Sequence, residues 1–243
     1  MALIIAHRGA SGYAPENTMA AFEKALEMGA EGIELDVHLT ADGEIVVIHD
    51  HTIDRTSDGK GVVGALTLEE IRKYDFGAWF DPKFKGQRIP TLGEVFELLE
   101  DWDGLLNIEV KSGPILYPGI EEKLVDMVKS WNFRGRIIFS SFNHYSLRDI
   151  KALDPSMEIG LLYMAGLVEP WKYAKDLNAQ ALHPLYYNVV PELVAGCKEN
   201  GIKLNPFTID EEKEMEMIMR AGVDGIITDY PDRALNVRKR ISG

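Results

Sequence analysis

The chain has 243 residues, 46% of them apolar, which is enough to bury one sizeable core, and a single barrel domain commonly has about 250 residues. It carries 26 basic and 39 acidic residues, a net charge of -13, which disfavours nucleic acid and anionic bilayers and makes a small dissolved molecule the expected partner. The single cysteine, Cys197, excludes an internal disulfide and a thiolate-built zinc site and fits a reducing compartment.

The first residues, Met1 to Arg8, contain no basic leader followed by a long apolar run and a small-residue cleavage site. Nowhere does the chain reach the roughly 18 consecutive apolar residues that a membrane-spanning helix needs. We therefore expect a cytoplasmic protein without membrane insertion. These features do not predict the oligomeric state.

Short apolar runs rich in β-branched residues alternate with segments of helical periodicity, which favours βα units around a parallel sheet. Eight strands are predicted, the closing number for a TIM-type (β/α)8 barrel. An open doubly wound sheet is the alternative, although no GxGxxG segment follows the first strand. The predicted strands are Leu3 to Ala6, Gly32 to Val37, Leu105 to Val110, Arg136 to Phe142, Glu158 to Tyr163, Ala181 to His183, Lys203 to Thr208 and Gly225 to Thr228.

Polar residues and glycines mark the ends of the predicted helices. Asn17 precedes an apolar stripe and is placed to cap the first helix, which Gly29 would end. Later helices begin with the spacing of a capping box, in which a side chain and a backbone N–H satisfy each other. These pairs are Thr67 with Glu70 and Thr91 with Glu94.

The segment from His51 to Pro90 interrupts the alternation and is rich in Gly, Asp and Thr. We interpret it as an insertion over the barrel mouth, within a single domain of residues 1–243. Its aromatic residues are predicted to fill a small satellite core, while a lid over a substrate pocket or an oligomer contact is the alternative. These residues are Phe76, Trp79, Phe80 and Phe84.

Two carboxylates lie two positions apart on the second predicted strand. Residues two apart on a strand project to one side, so Glu34 and Asp36 face together and their apolar neighbours face away. In a barrel the apolar set meets the helices, which directs the carboxylates inward near the C-terminal end, where barrel enzymes keep their active sites. Buried like charges require a metal ion or a basic partner. An exposed edge strand is the alternative.

The turn after this strand predicts an additional antiparallel strand. Asp42-Gly43 is the favoured pair for a two-residue hairpin turn, so the returning strand would run from Glu44 to His49. Residues whose numbers sum to 85 then lie opposite each other, which brings His49 to the side of Asp36. A three-residue turn would reverse this parity and point His49 away.

The first strand carries a second group of candidates to the barrel mouth. His7 ends the apolar run and Arg8 follows it. A lone histidine is usually structural, but His7 and His49 would converge on one acidic pocket, and an imidazole that titrates near pH 6.5 is suited to proton transfer. Arg8 offers a planar fork of donors that matches phosphate oxygens, or it forms a salt bridge to one of the surplus carboxylates.

Glu109 and Lys111 repeat the two-residue spacing on the third parallel strand and add a carboxylate and a cation to the same side. Three carboxylates without thiolates form a hard, oxygen-rich site that favours Mg²⁺ or Ca²⁺. Histidine nearby leaves room for Mn²⁺ or Zn²⁺. An internal ion pair of Glu109 with Lys111 is the alternative, but two cations beside three acids better suit a metal plus an anionic substrate.

Together these residues resemble the glycerophosphodiester phosphodiesterase family, of the bacterial cytosolic type with a phosphatidylinositol-phospholipase-C-like barrel. The family pattern of H-R, E-x-D and H-D is matched by His7-Arg8, Glu34-Leu35-Asp36 and His49-Asp50. The resemblance covers nearly the whole chain. It runs through AHRGASGYAPENT, GIELDVHLT, IVVIHDHTIDRT, IPTL, NIEVKSG, SSFNHYSL, ALHP and GVDGIITDYP.

The resemblance implies hydrolysis of a small soluble glycerophosphodiester to glycerol 3-phosphate and an alcohol, with one divalent cation. One departure is visible, because this chain has Phe207 where many relatives have Trp, which leaves the substrate preference open. The implied site consists of the metal ligands Glu34, Asp36 and Glu109, the acid and base His7 and His49, the phosphate-facing Arg8 and Lys111, Glu16 behind Arg8, and Phe142 with Phe207 as a wall for glycerol.

Two other functions are compatible with parts of the pattern. Lys111 at a strand end would suit a Schiff-base lysine in an aldolase-like barrel, but three carboxylates then have no role. A non-catalytic barrel that only binds phosphodiesters would lack acid, base or ligand positions, and none is missing. The sequence does not assign which histidine is the acid, which alcohol leaves, or whether water or a glycerol hydroxyl attacks, the latter through a cyclic phosphate.

Overall fold

The computed structural model describes residues 1–131 and 133–243. Within these ranges, eight parallel strands form a nearly closed barrel and one antiparallel strand, β3, pairs with β2. The predicted TIM-type barrel and the position of each strand are confirmed. The strands are β1 (Leu3–His7), β2 (Gly32–Leu39), β3 (Ile45–Val47), β4 (Leu105–Val110), β5 (Arg136–Ser141), β6 (Glu158–Tyr163), β7 (Ala181–Pro184), β8 (Lys203–Leu204) and β9 (Gly225–Thr228).

The barrel closes where β8 meets β9. The strand β8 is shorter than the predicted Lys203 to Thr208 because Pro206 has no N–H with which to continue the ladder. Backbone hydrogen bonds nevertheless cross this seam, since the N–H of Ile227 donates to the carbonyl of Pro206 at 3.0 Å. Pairing with β7 resumes at Phe207, which bridges to Leu185.

Helices cover the outside of the barrel and follow the strands in the predicted order. Both capping boxes are present, at Thr67 and Thr91. In the described part of the chain, no helix has the length and apolar character needed to cross a bilayer. The helices are α1 (Met19–Glu27), α2 (Leu68–Ile71), α3 (Leu92–Leu98), α4 (Ile120–Ser130), α5 (His144–Leu153), α6 (Pro170–Asp176), α7 (Pro191–Asn200), α8 (Glu212–Ala221) and α9 (Pro231–Ser242).

The prediction that Asn17 caps α1 is wrong. Thr18 is the cap, and its hydroxyl accepts a hydrogen bond from the N–H of Ala21 at 3.3 Å. Asn17 has a left-handed backbone with φ of 56°, a conformation that asparagine tolerates better than most residues. Its amide is therefore free to turn inward, and Nδ2 donates to Oδ2 of Asp36 at 2.8 Å.

The predicted register of the hairpin is also wrong. Val37 pairs with Val47 and Leu39 with Ile45, so paired numbers sum to 84 and the turn holds three residues, with Gly43 at φ of 82°. The side chains of Thr40 and Asp42 explain the longer turn, because the hydroxyl of Thr40 donates to Asp42 at 2.6 Å. The last bond in this register joins the N–H of Ile48 to the carbonyl of Asp36 at 3.0 Å, so the parity does not constrain the residues beyond Ile48.

The strands separate two apolar layers. On β2, Ile33, Leu35 and Val37 pack against the helices in the main core, whereas Glu34 and Asp36 face into the barrel, as the alternation predicted. A small apolar cluster fills the barrel below these carboxylates. It consists of Ile5, Leu105, Ile138, Ala181 and Ile227.

The segment 51–90 builds a satellite core beside β3. The core contains Phe76 but none of the other three aromatic residues that were predicted to fill it, and Trp79 is exposed. Branched aliphatic residues fill it instead. They are Val46, Ile48, Ile53, Val63, Ile71 and Ile89.

A buried histidine lies inside the barrel on β7. The ring of His183 has Nε2 at 3.2 Å from Nδ2 of Asn205, and a side chain on Gly160 would collide with it. Burial lowers the pKa of His183 to about 4, below the value of about 6.5 for an unfolded chain. The imidazole is therefore neutral in the native protein near neutral pH.

This histidine should make the fold sensitive to acid. Between about pH 6.5 and about pH 4 the unfolded chain binds more protons than the native chain, so the free energy of unfolding falls as the pH drops through that window. Between about pH 7.5 and about pH 5, this side chain should lower the free energy of unfolding by about 2 kcal/mol. His183→Gln should remove that share of the acid sensitivity in urea unfolding. An equal loss of unfolding free energy in the wild type and in His183→Gln would contradict the conclusion that His183 is buried as a neutral imidazole.

Candidate active site

Three buried carboxylates converge at the C-terminal ends of adjacent strands. Glu34 and Asp36 come from β2, and Glu109 comes from β4 directly beside Asp36 in the parallel register. They are 3%, 1% and 8% exposed, and one oxygen from each lies within 4.8 Å of the others. Three oxygens at this spacing form a site that can hold a metal ion.

Two cations lie against this cluster. Lys111 has its Nζ at 3.0 Å from Oδ1 of Asp36 and 2.5 Å from Oε1 of Glu109. Arg8 has its Nε at 3.4 Å from Oδ2 of Asp36. The ion pair between Glu109 and Lys111, which was the alternative interpretation, therefore exists, but it belongs to a larger group. When all three carboxylates are ionised, they exceed the two cations by one negative charge.

Burial and charge act differently on the three carboxyl groups. Burial raises the pKa of Glu34 well above its usual value, and the neighbouring Asp36 and Glu109 raise it further. Burial likewise raises the pKa of Glu109. For Asp36 burial acts in the same direction, but Lys111 and Arg8 outweigh it and hold its pKa below the usual range. The ionised carboxylates therefore repel one another, and an added positive charge would reduce this repulsion.

Each predicted histidine has a carboxylate on its Nδ1. For His7 the partner is Asp229, with Nδ1 at 2.7 Å from Oδ1, and Asp229 also accepts a hydrogen bond from Ser11 at 2.9 Å. The other ring nitrogen, Nε2, points to the cluster and lies 4.0 Å from Oε2 of Glu34. A carboxylate on Nδ1 fixes the ring so that Nε2 is the atom available to a reactant.

His49 is held from two sides. Its Nδ1 lies 2.7 Å from Oδ1 of Asp50, and its backbone carbonyl lies 3.0 Å from Nε2 of His38. Burial lowers the pKa of His38 to about 4, so this ring is neutral, donates from Nε2 and accepts from the hydroxyl of Tyr117 at 2.8 Å. His49 therefore reaches the site from the loop after β3, whatever the parity of that strand.

Arg8 adopts a backbone conformation that few residues other than glycine accept. Its φ is 53°, and its N–H donates to Oε2 of Glu34 at 2.9 Å. Its guanidinium donates from one terminal nitrogen to Oε1 of Glu16 at 2.8 Å. Strain of this kind persists where the surroundings hold the residue firmly, which is typical of functional sites.

Two cavities meet at this centre. The first, of about 260 Å³, has an apolar wall that includes Phe142 and Phe207, whose rings are 5.9 Å apart and nearly perpendicular. The second, of about 390 Å³, is lined by polar groups that include Ser112 and Asn143. His49 and Lys111 line both cavities, whereas His7 and Arg8 line the first.

A larger cavity, of about 480 Å³, lies at the opposite end of the barrel. The charged side chains there pair with each other, Arg136 with Glu158 at 2.6 Å and Lys203 with Asp224 at 2.8 Å. Chemistry in barrel enzymes occurs at the C-terminal ends of the strands. This cavity is therefore not the candidate site.

The structure brings together all the residues that the sequence predicted for the site, and Glu16 and Asp36 lie directly behind the cavity wall. Sequence reasoning missed Asn17, His38, Arg55 and Asp229. A signal existed for Asp229, because it follows β9, which neighbours β1. The predicted residues that line the first cavity are His7, Arg8, Glu34, His49, Glu109, Lys111, Phe142 and Phe207.

Carboxylates, imidazoles and cations clustered at the C-terminal rim of a TIM-type barrel place this protein in the class of barrel enzymes. Comparisons with known proteins identify the family. The model of the glycerophosphoryl diester phosphodiesterase family matches residues 7–233. The chain therefore belongs to the glycerophosphoryl diester phosphodiesterase family and is a phosphoric diester hydrolase.

Individual relatives support this membership over the whole chain. A glycerophosphodiester phosphodiesterase of Caldanaerobacter subterraneus subsp. tengcongensis is 60% identical over 238 residues, which cover 98% of each chain. One of Bacillus altitudinis is 41% identical over 244 residues, or 99% of this chain and 100% of that one. A phosphodiesterase of Oleispira antarctica, solved with its product sn-glycerol-3-phosphate, superposes with a TM-score of 0.89 at 31% identity, covering 98% of this chain and 96% of that one.

Proposed function

We propose that this chain hydrolyses small glycerophosphodiesters to glycerol 3-phosphate and an alcohol, with one divalent cation and two histidines. The observation that carries the proposal is the convergence of Glu34, Asp36 and Glu109 on one point beside two imidazoles. The product named in the Oleispira antarctica structure supports the same chemistry.

The residues at the cluster fit a divalent cation. Their ligand atoms are oxygens, their full ionisation would exceed the two cations by one negative charge, and Oδ1 of the neighbouring Asn107 is buried without a hydrogen-bond partner among the described residues. Such a set favours Mg²⁺ or Ca²⁺ over Mn²⁺ or Zn²⁺. A divalent cation there would attract the phosphate and withdraw electron density from it.

The chain's own cations complete the phosphate site. Arg8 and Lys111 lie on the cavity wall beside the cluster, where their N–H groups can donate to phosphate oxygens as negative charge grows on them. Asp36 keeps both side chains in place, because it lies 3.4 Å from Nε of Arg8 and 3.0 Å from Nζ of Lys111. Positioned donors of this kind need no rearrangement during the reaction.

The positions of the two cavities support one assignment of the proton transfers. The wall that includes Phe142 and Phe207 suits the carbon skeleton of glycerol, so the glycerol arm occupies the first cavity, and the alcohol arm extends into the second. His7 lies beside the glycerol arm and is the base that takes a proton from the attacking glycerol hydroxyl, and water then opens the resulting cyclic phosphate to glycerol 3-phosphate. His49, which lines both cavities, is the acid that protonates the departing alcohol.

The aldolase-like alternative conflicts with the state of Lys111. A Schiff-base lysine must lose its proton before it attacks. Although burial favours the neutral amine, Asp36 and Glu109 raise the pKa of Lys111 above its usual value. The lysine is therefore held as a cation, in a state that binds phosphate and does not attack carbonyl carbon.

We further propose that residues 1–243 act as one catalytic domain. The support is the satellite core, in which Val46 of β3 packs with Phe76 and Ile89 of the 51–90 segment. Apolar contacts of this kind tie the segment to the barrel.

A coupled assay for released glycerol 3-phosphate tests the function. We expect turnover of glycerophosphocholine and glycerophosphoethanolamine, loss of at least about 90% of it in EDTA, and recovery with added Mg²⁺ or Ca²⁺. Arg136→Gln, at the opposite end of the barrel, is the control and should keep wild-type activity. Full activity in EDTA would refute the requirement for a metal, and no release from either ester would refute the substrate class.

A further inference from the structure

Arg55 belongs to the 51–90 segment and forms two pairs of hydrogen bonds with different carboxylates. Its two terminal nitrogens each lie 2.7 Å from an oxygen of Glu16. Its Nε lies 2.8 Å from Oδ2 of Asp50, and one terminal nitrogen lies 3.1 Å from Oδ1. All three nitrogens of one planar guanidinium are thus directed at two acids, a geometry that lysine has no means to reproduce.

Each of these acids holds a group of the proposed active site. Asp50 accepts from Nδ1 of His49 at 2.7 Å, and Glu16 accepts from the guanidinium of Arg8 at 2.8 Å. A continuous row of charged side chains therefore links an imidazole on one side of the reaction centre to a phosphate-facing cation on the other. Arg55 is the middle member of that row.

We propose that Arg55 is a positioning residue that holds His49 and Arg8 in their working orientations through Asp50 and Glu16. The roles of His49 and Arg8 rest on the proposed function. Arg55 itself lines neither cavity, and its hydrogen bonds go to Asp50 and Glu16 and not to the acidic cluster. The 51–90 segment then contributes to catalysis through one side chain that it supplies.

The charges at the row explain why a cation is needed at its centre. Hydrogen bonds from Arg55 hold the pKa of Asp50 below its usual range. Burial disfavours the charge on Glu16, but Arg55 and Arg8 lower its pKa. Both acids are thus anionic. Without the guanidinium they would repel each other, and each would be left with a single partner, Asp50 with His49 and Glu16 with Arg8.

Single substitutions test the two ends of the row separately. Arg55→Gln should lower kcat on glycerophosphocholine about 10- to 100-fold, through the loss of His49 alignment, with a smaller change in KM. It should also weaken binding of inorganic phosphate, measured by calorimetry, about tenfold through Arg8. Arg55→Lys should recover only part of both. Added guanidinium should raise the activity of Arg55→Ala severalfold, whereas a purely structural arginine would not be rescued in this way.

Arg136→Gln is the matched control, because it breaks a single arginine–carboxylate pair at the other end of the barrel. Its kcat, its phosphate affinity and its response to guanidinium should equal those of the wild type. Wild-type kcat and phosphate affinity in a folded Arg55→Gln protein would overturn the proposal. An inactive wild type would instead refute the proposed function, and phosphate affinity would then decide the role of Arg55 alone.

Coupling between the two acids gives a sharper test. Asp50 and Glu16 are joined only through Arg55 in this row. The effect of the double variant Asp50→Asn/Glu16→Gln on kcat/KM should therefore differ by about threefold or more from the product of the two single-variant effects. In a protein that also carries Arg55→Gln, the effect of the double variant should equal the product of the two single-variant effects. Coupling that persists without Arg55, or is absent with it, would overturn the proposal.

Discussion

Glu34→Gln should lower kcat by about 10³-fold, because a divalent cation contributes several kcal/mol to the transition state and each factor of ten in rate corresponds to about 1.4 kcal/mol. The same substitution should stabilise the metal-free protein. Burial and two neighbouring acids raise the pKa of Glu34, so this carboxyl ionises more readily in the unfolded chain and costs the native state stability as the pH rises above about 4.3. Glutamine removes the charge and still accepts the hydrogen bond from the N–H of Arg8.

The gain in the free energy of unfolding should be on the order of 1 kcal/mol in EDTA near neutral pH. Added Mg²⁺ or Ca²⁺ should reverse the order, since a cation that binds only the native state stabilises the wild type more than the variant. Thermal unfolding with and without the ion measures both effects. Glu158→Gln, in an exposed pair, is the control for activity. Equal stabilisation of wild type and Glu34→Gln by the ion would place the metal elsewhere.

Replacing either histidine with alanine should lower kcat by about 10² to 10⁴ with little loss of stability. The two variants should differ on an ester with an activated leaving group, such as the p-nitrophenyl ester of glycerol phosphate. That group leaves without a proton, so the defect of His49→Ala should shrink to about tenfold or less, whereas the defect of His7→Ala should persist.

His183→Gln is a useful comparison, because His183 lies inside the barrel and outside both cavities. Its activity at about pH 8, where the buried ring is neutral in the wild type, should be unchanged. The opposite pattern, with rescue of His7→Ala and not of His49→Ala, would reverse the acid and base. Wild-type rates in either alanine variant would remove that histidine from the mechanism.

Local patterns in the sequence were sufficient for the strands and for most of the site. The alternation on β2 predicted that Glu34 and Asp36 face inward, because neighbouring side chains on a strand point to opposite sides. Parallel strands end at one rim of a barrel, so Glu109, Lys111 and His7 were expected beside them. Capping boxes at Thr67 and Thr91 involve residues three apart and were equally readable.

The sequence did not predict hydrogen bonds between residues that are distant in the chain. His7 and Asp229 are 222 positions apart, and Arg55 and Glu16 are 39 apart. Asn17 had a plausible local role as a helix cap, yet its partner is Asp36 on another element. Local hydrogen-bonding options of such polar residues are nearly equal in energy, so the tertiary environment decides between them.

By itself, the amino-acid sequence determined the barrel, its family and the type of chemistry, because periodicity and short motifs depend on residues close together in the chain. Only the tertiary structure decided how the hairpin pairs, which acid orients each imidazole, and how a side chain from the 51–90 segment joins the two sides of the site. The physical reason is that the energies of buried charges depend on all the charges and dipoles packed around them, whatever their distance along the chain.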